Sequence, residues 1–81
     1  MTLQQLRYII TTAECGNISQ AASKLFISQP SLTVAIKALE DEIGITIFLR
    51  MSRGVTLTAA GEEFLGYARQ VLEQAELLER K

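Results

Sequence analysis

The sequence predicts a mainly α fold with a three-helix core, a two-stranded hairpin and a long final helix. Three observations carry this. The stretch from Ala21 to Thr33 reads as a short helix, a tight turn and a second helix with a strong start signal. The runs Ile45–Leu49 and Val55–Leu57 are short, apolar and rich in β-branched residues, and they flank the turn-like Arg50-Met51-Ser52-Arg53-Gly54. From Phe64 onward, apolar residues recur at heptad spacing.

The first helix is expected over about Leu3 to Cys15. Thr2 with Gln5 three residues on is a capping-box signature. Leu3, Leu6, Ile10 and Ala13 repeat at helical spacing, and Gly16 is a natural stop. Asn17-Ile18 turns the chain, Ser19 caps a second helix running to about Leu25, and Leu25 and Phe26 close the next turn as apolar anchors. Ser28 is a good N-cap, and Pro30 suits a first helical turn, where a missing N–H costs nothing.

The third helix extends to about Ile43. Leu32, Ile36, Leu39 and Ile43 form one stripe facing the core. The opposite face carries Pro30, Ser31, Val34 and Lys37, flanked by Thr33, with Gln29 at the exposed N-terminal end. Helix, turn and helix in this order form a helix-turn-helix, whose second helix lies in the major groove of DNA. Short polar groups on the early turns suit groove insertion, and the alternative is an ordinary solvated face. Val34 in water would be unusual, and a thymine methyl gives it a use.

The hairpin is then the wing of a winged helix-turn-helix. Arg53, beside the turn glycine, can reach a minor groove or a phosphate, and Arg50 either neutralises phosphate or pairs with a nearby acid. Thr58 caps the long helix from Ala59 to near the end. Phe64, Ala68, Val71, Ala75 and Leu78 form its seam, and Leu65 and Leu72 widen it. A small core cannot cover about 20 residues of such a helix, at ~1.5 Å rise each, so it is expected to dimerise; folding back on its own core is the alternative.

Eighty-one residues allow one domain at most. Two parts are expected, residues 1–58 as the DNA-binding unit and 59–81 as the linker and dimerisation helix. The charged ending Glu76–Lys81 suggests the first module of a longer protein. A domain this small buries only about 60% of its unfolded surface, so a partner would help it. No apolar run approaches the ~20 residues of a membrane span, and the N-terminus has no signal-peptide pattern.

The chain has one cysteine and no histidine. It can make no internal disulfide and lacks zinc ligands, and neither a metal nor another cofactor is expected. Cys15 is read as a small half-buried residue near a helix end, with a redox-sensing thiol as the alternative. Absent disulfides fit the cytoplasm. The formal charge of −1 argues against indiscriminate nucleic-acid binding, but its distribution says more. From Cys15 to Leu39 there is no acid, only Lys24 and Lys37, and the hairpin adds Arg50 and Arg53.

Catalysis is not expected, because no glycine-rich phosphate loop or nucleophile–base pair exists. Glu40, Asp41 and Glu42 are consecutive, so they fan around the helix as a solvated end. A winged helix used only for protein contacts is the competing function, and an apolar exposed face on the third helix would favour it.

In order and spacing, Leu6-Arg7-Tyr8-Ile9, Asn17-Ile18-Ser19-Gln20-Ala21-Ala22, Leu25–Thr33, Ile36-Lys37-Ala38-Leu39-Glu40, Leu49-Arg50, Arg53 and Leu57-Thr58-Ala59-Ala60-Gly61 resemble the N-terminal DNA-binding domain of LysR-type transcriptional regulators. The resemblance runs from Leu3 to about Leu72. It implies a bacterial, cytoplasmic, nucleoid-associated regulator that binds interrupted palindromes in double-stranded promoter DNA. It implies a homodimer through antiparallel linker helices, often a tetramer at full length, with a small-molecule effector sensed only through a C-terminal domain absent from this chain. Base and phosphate contacts carry over to Gln29, Pro30, Ser31, Thr33, position 34, Lys37 and Arg53, with Ser28 and Arg50 as phosphate neighbours. Many relatives place a polar or basic side chain where this chain has Val34, which removes a bidentate guanine contact.

Overall fold

The computed structural model describes residues 1–80, so the expectation for Lys81 lies outside the described residues. The order is α1 (Leu3–Cys15), α2 (Ile18–Leu25), α3 (Gln29–Ile43), β1 (Phe48–Met51), β2 (Gly54–Leu57) and α4 (Ala59–Glu79). This is the expected winged helix-turn-helix with a long final helix.

α1 starts on the full capping box. Thr2 Oγ1 accepts from the Gln5 N–H at 3.1 Å, and the Thr2 N–H donates to Gln5 Oε1 at 2.8 Å. Gly16 ends the helix at φ 66°, where a side chain would be strained. Asn17, not Ser19, caps α2: its Oδ1 accepts from the Gln20 N–H at 2.9 Å. Both residues are good caps, but Asn17 directly follows the left-handed glycine in extended conformation, which leaves Ser19 inside the first turn and exposed.

The end of α2 corrects a second expectation. Phe26 does not anchor the turn. It sits at φ 59° and is 94% exposed. The cause is a Schellman ending: the Phe26 N–H donates to the Ser23 carbonyl at 3.2 Å and the Ile27 N–H to the Ala22 carbonyl at 3.0 Å. That geometry turns the left-handed residue outward and the next one inward, so Leu25 and Ile27 pack against the core instead.

The core joins Leu6, Ile9 and Ile10 of α1, Ile18, Ala21 and Ala22 of α2, Leu32, Ile36 and Leu39 of α3, Ile47, Phe48 of β1, and Leu65 and Ala68 of α4. The expected α1 face included Leu3 and missed Ile9. In fact Leu3 is exposed and Ile9 fully buried, because α1 packs against α2, α3 and α4 and its buried arc is correspondingly wide. Thr12 is buried too, with its hydroxyl donating to the Tyr8 carbonyl at 2.7 Å.

Ser28 caps α3, accepting from the Ser31 N–H at 3.2 Å. At the other end, the three consecutive acids separate. Glu40 Oε2 accepts from the Ile47 and Phe48 N–H groups at 2.6 and 3.2 Å, Asp41 pairs with Lys37 at 3.4 Å, and Glu42 meets the N-terminal ammonium at 2.6 Å. Glu40 is therefore a structural clamp, not part of a solvated end.

That clamp explains why the first strand starts later than Ile45. Glu40 holds the Ile47 N–H, and the Ile47 carbonyl accepts from the Thr58 N–H at 3.0 Å, so the local backbone is committed before any ladder begins. β1 also runs on through Arg50 and Met51, two residues that the sequence places in the turn. β1 and β2 pair antiparallel with Arg50 opposite Val55 and Met51 opposite Gly54. The Val55 N–H donates to the Gly16 carbonyl at 3.0 Å, tying the wing to the α1–α2 turn.

Thr58 caps α4, its hydroxyl accepting from the Gly61 N–H at 2.8 Å. Gly61 lies against the Ile47 backbone carbonyl, where a Cβ has no room. α4 then runs back antiparallel along α1, from buried Leu65 and Ala68 to an Arg7–Glu79 ion pair at 3.6 Å.

Candidate nucleic-acid interface

The turn before α3 and its first two turns form one exposed edge. Ser28, Gln29, Pro30, Ser31, Val34 and Lys37 are exposed and Thr33 half-buried, because Leu32, Ile36 and Leu39 hold the opposite side in the core. Ser28 Oγ donates to Ser31 Oγ at 2.8 Å, so the two hydroxyls stand together at the helix start.

The wing closes the second side. Across a cleft of about 260 Å³ between α3 and β1, Arg50 Nη2 donates to Thr33 Oγ1 at 3.4 Å. The guanidinium leans on a hydroxyl of α3 and not on an acid, so the acid-pairing alternative for Arg50 is not the contact seen. A second hollow of about 150 Å³ brings Gln29 and Arg50 beside Asn17, Ser19 and Met51. Arg53 is exposed at the wing tip, in the two-residue turn Ser52-Arg53. Arg50 and Arg53 enter no ion pair among the described residues, whereas Lys37 is partly neutralised by Asp41.

Of the nine residues expected to contact DNA, Gln29, Thr33, Lys37 and Arg50 line the two hollows between α3 and the hairpin, and Ser28, Pro30, Ser31, Val34 and Arg53 are exposed on α3, at its cap or in the hairpin turn. Asn17 and Ser19, which line the second hollow beside Gln29 and Arg50, are not among the residues expected from sequence. A signal was present: two helix-capping residues two positions apart, of which only one can cap.

Along α4 the predicted dimer seam divides. Ala68 is 3% exposed and belongs to this chain's own core, with Leu65. That overturns its assignment to a free seam, because α4 folds back on α1 and uses that edge itself. Phe64, Leu72 and Ala75 are half-buried. Val71 and Leu78 stay exposed and are joined on the same stripe by Tyr67, which the sequence reading passed over.

A family model, bacterial regulatory helix-turn-helix protein of the lysR family, matches residues 3–62. The chain belongs to the LysR family. The matched segment covers the LysR-type helix-turn-helix, the wing and the first turn of α4. Among relatives, it is 52% identical over 77 residues to the HTH-type transcriptional regulator ClcR of Pseudomonas putida, covering 95% of this chain and 26% of that protein. To the Hca operon transcriptional activator HcaR of Escherichia coli it is 49% identical over 76 residues, 94% of this chain and 26% of that protein. The chain thus spans about a quarter of the length of these curated relatives. The CbnR DNA-binding domain solved with DNA superposes with a TM-score of 0.94 at 44% identity, covering 99% of this chain and 92% of that one. The BenM DNA-binding domain on benA site 1 DNA gives 0.93 at 38% identity, with 99% and 90% covered. This LysR-type domain shares its entire fold, α4 included, with those two.

Proposed function

We propose that this LysR-type domain binds double-stranded promoter DNA sequence-specifically as a homodimer and serves transcription regulation, not catalysis. The supporting observation is the exposed edge of α3 and wing, in a chain acid-free from Cys15 to Leu39, where Arg50 and Arg53 enter no ion pair among the described residues. α3 enters the major groove by its N-terminal half. Gln29 offers an amide suited to adenine N6 and N7. Ser28 and Ser31 contact the flanking phosphates, and Pro30, Thr33 and Val34 pack against base edges or backbone. Arg50 exchanges the Thr33 hydroxyl for a phosphate oxygen, a stronger charge-assisted partner. Arg53 reaches the minor groove or its phosphates, and Lys37 adds charge beside Asp41.

A second copy docks on α4 through Tyr67, Val71 and Leu78, bordered by Phe64, Leu72 and Ala75. Dimer symmetry then sets two half-sites at least about one helical turn apart. In a full-length regulator, tetramer assembly and small-molecule sensing belong to a C-terminal effector domain. No described helix is long and apolar enough to cross a membrane. The DNA-binding reading is what supports a location in the bacterial cytoplasm with the nucleoid.

The competing reading, a winged helix for protein contacts, draws on Pro30, Val34 and Ala38, all exposed and apolar on α3. Fluorescence anisotropy on upstream promoter DNA and on scrambled DNA, across a salt series, separates the two. Tighter promoter binding that persists as salt rises is expected. No binding to either DNA by a folded, dimeric chain would favour the protein-contact reading.

A further inference from the structure

Val34 is 68% exposed in the middle of α3, on the side directly away from Leu32, Ile36 and Leu39. Pro30 lies one turn before it and Ala38 one turn after, both exposed. The outward ridge of this helix is therefore apolar, with the hydroxyls of Ser28 and Ser31 and the Gln29 amide gathered at its N-terminal end. An exposed mid-helix valine adds nothing to stability, because its intrinsic helix propensity is below that of alanine. Its value lies in what it presents. A helical β-branched side chain is held in one dominant rotamer, so its two methyls are aimed without further ordering cost. It has no donor or acceptor and cannot satisfy guanine, adenine or cytosine edges. The one apolar group in the major groove is the thymine 5-methyl.

Resting on the DNA-binding reading above, we propose that Val34 is a specificity determinant that selects thymine at one position of each half-site through the 5-methyl group. The apolar ridge that could suggest a protein partner is then a methyl-reading surface. An arginine at the same position would instead offer a bidentate fork to guanine O6 and N7.

The test selects bound sequences from a randomised duplex pool with this chain, then replaces each thymine of the selected duplex by deoxyuridine, which lacks only that methyl. One thymine per half-site is expected to be methyl-sensitive, with about fourfold weaker binding on deoxyuridine. That sensitivity disappears in Val34→Ala, and Val34→Arg moves the preference at the same position to guanine. Deoxyuridine tolerated at every position would overturn the proposal, as would equal sensitivity in Val34→Ala. A folded chain that enriches no sequence would instead overturn the DNA-binding reading on which it rests. Because Val34 is exposed, circular dichroism of both variants should match that of the parent chain.

Discussion

α3 and α4 both carry apolar stripes at helical spacing, yet the structure uses them differently. The α3 stripe is consumed within the chain: Leu32 and Leu39 are fully buried, and Ile36 nearly so. α4 has two adjacent stripes. One, Leu65 and Ala68 continuing to half-buried Leu72, packs on α1; the other, Tyr67, Val71 and Leu78, has no cover within the chain. Periodicity locates an apolar stripe but does not say which molecule covers it. The outer faces differ as well: α3 gathers hydroxyls and an amide at its N-terminal end beside the small apolar ridge of Pro30, Val34 and Ala38, where α4 presents the larger Tyr67, Val71 and Leu78.

The largest expected effect falls on the stripe that the chain covers itself. Leu39→Ala should cost about 2–5 kcal/mol of unfolding free energy in urea denaturation, because a fully buried leucine leaves a cavity. On α4 the same measurement should barely respond. Val71→Asp is expected to change unfolding by less than ~0.5 kcal/mol when measured below the dimerisation concentration. It should nevertheless weaken the dimer at least about tenfold in sedimentation, since it puts a charge into an apolar contact. A dimer unaffected by the change would dissolve the contrast between the two helices.

The outer face of α3 is probed by Gln29→Ala. We expect a loss of about 1–3 kcal/mol on the selected site with little change on scrambled DNA, measured by anisotropy. Equal loss on both would make Gln29 a backbone contact and not a reader of bases.

Much of this organisation was legible in the sequence because it is written in local chemistry. Thr2 with Gln5, Ser28 with Pro30, and Thr58 each declare a helix start within four residues, and each start stands as expected. What escaped depends on partners far along the chain or on competition between neighbours. Asn17 beat Ser19 to the cap because of the backbone that Gly16 imposes. The late start of β1 follows from the Glu40 carboxylate reaching Ile47 and Phe48 across the α3–β1 loop, which no run of β-branched residues reveals. Ala68 fits a heptad seam on paper; only the antiparallel return of α4 onto α1 shows that its own chain covers it. The nine residues proposed for the interface were within reach of sequence reasoning for a simpler reason: eight of them sit within a turn or two of a cap, or in a two-stranded hairpin of fixed register, and Lys37 follows one turn later.

Phe26 sets the limit of the comparison, because its exposure has a different origin from that of Val71. Val71 is exposed on a regular helix face that a second copy can cover. Phe26 is exposed because the Schellman ending of α2 forces the left-handed residue outward, whatever its side chain. An L side chain there carries strain on the order of 1 kcal/mol, and asparagine tolerates that conformation better. Phe26→Asn should therefore stabilise the domain by up to about 1 kcal/mol, a rise of several degrees in Tm for a domain of this size. Anisotropy on the selected DNA and the dimer constant should stay unchanged. If stability rises while either affinity falls, Phe26 is a contact retained at a cost in stability. Its exposure would then belong with that of Val71, as a surface kept for another molecule.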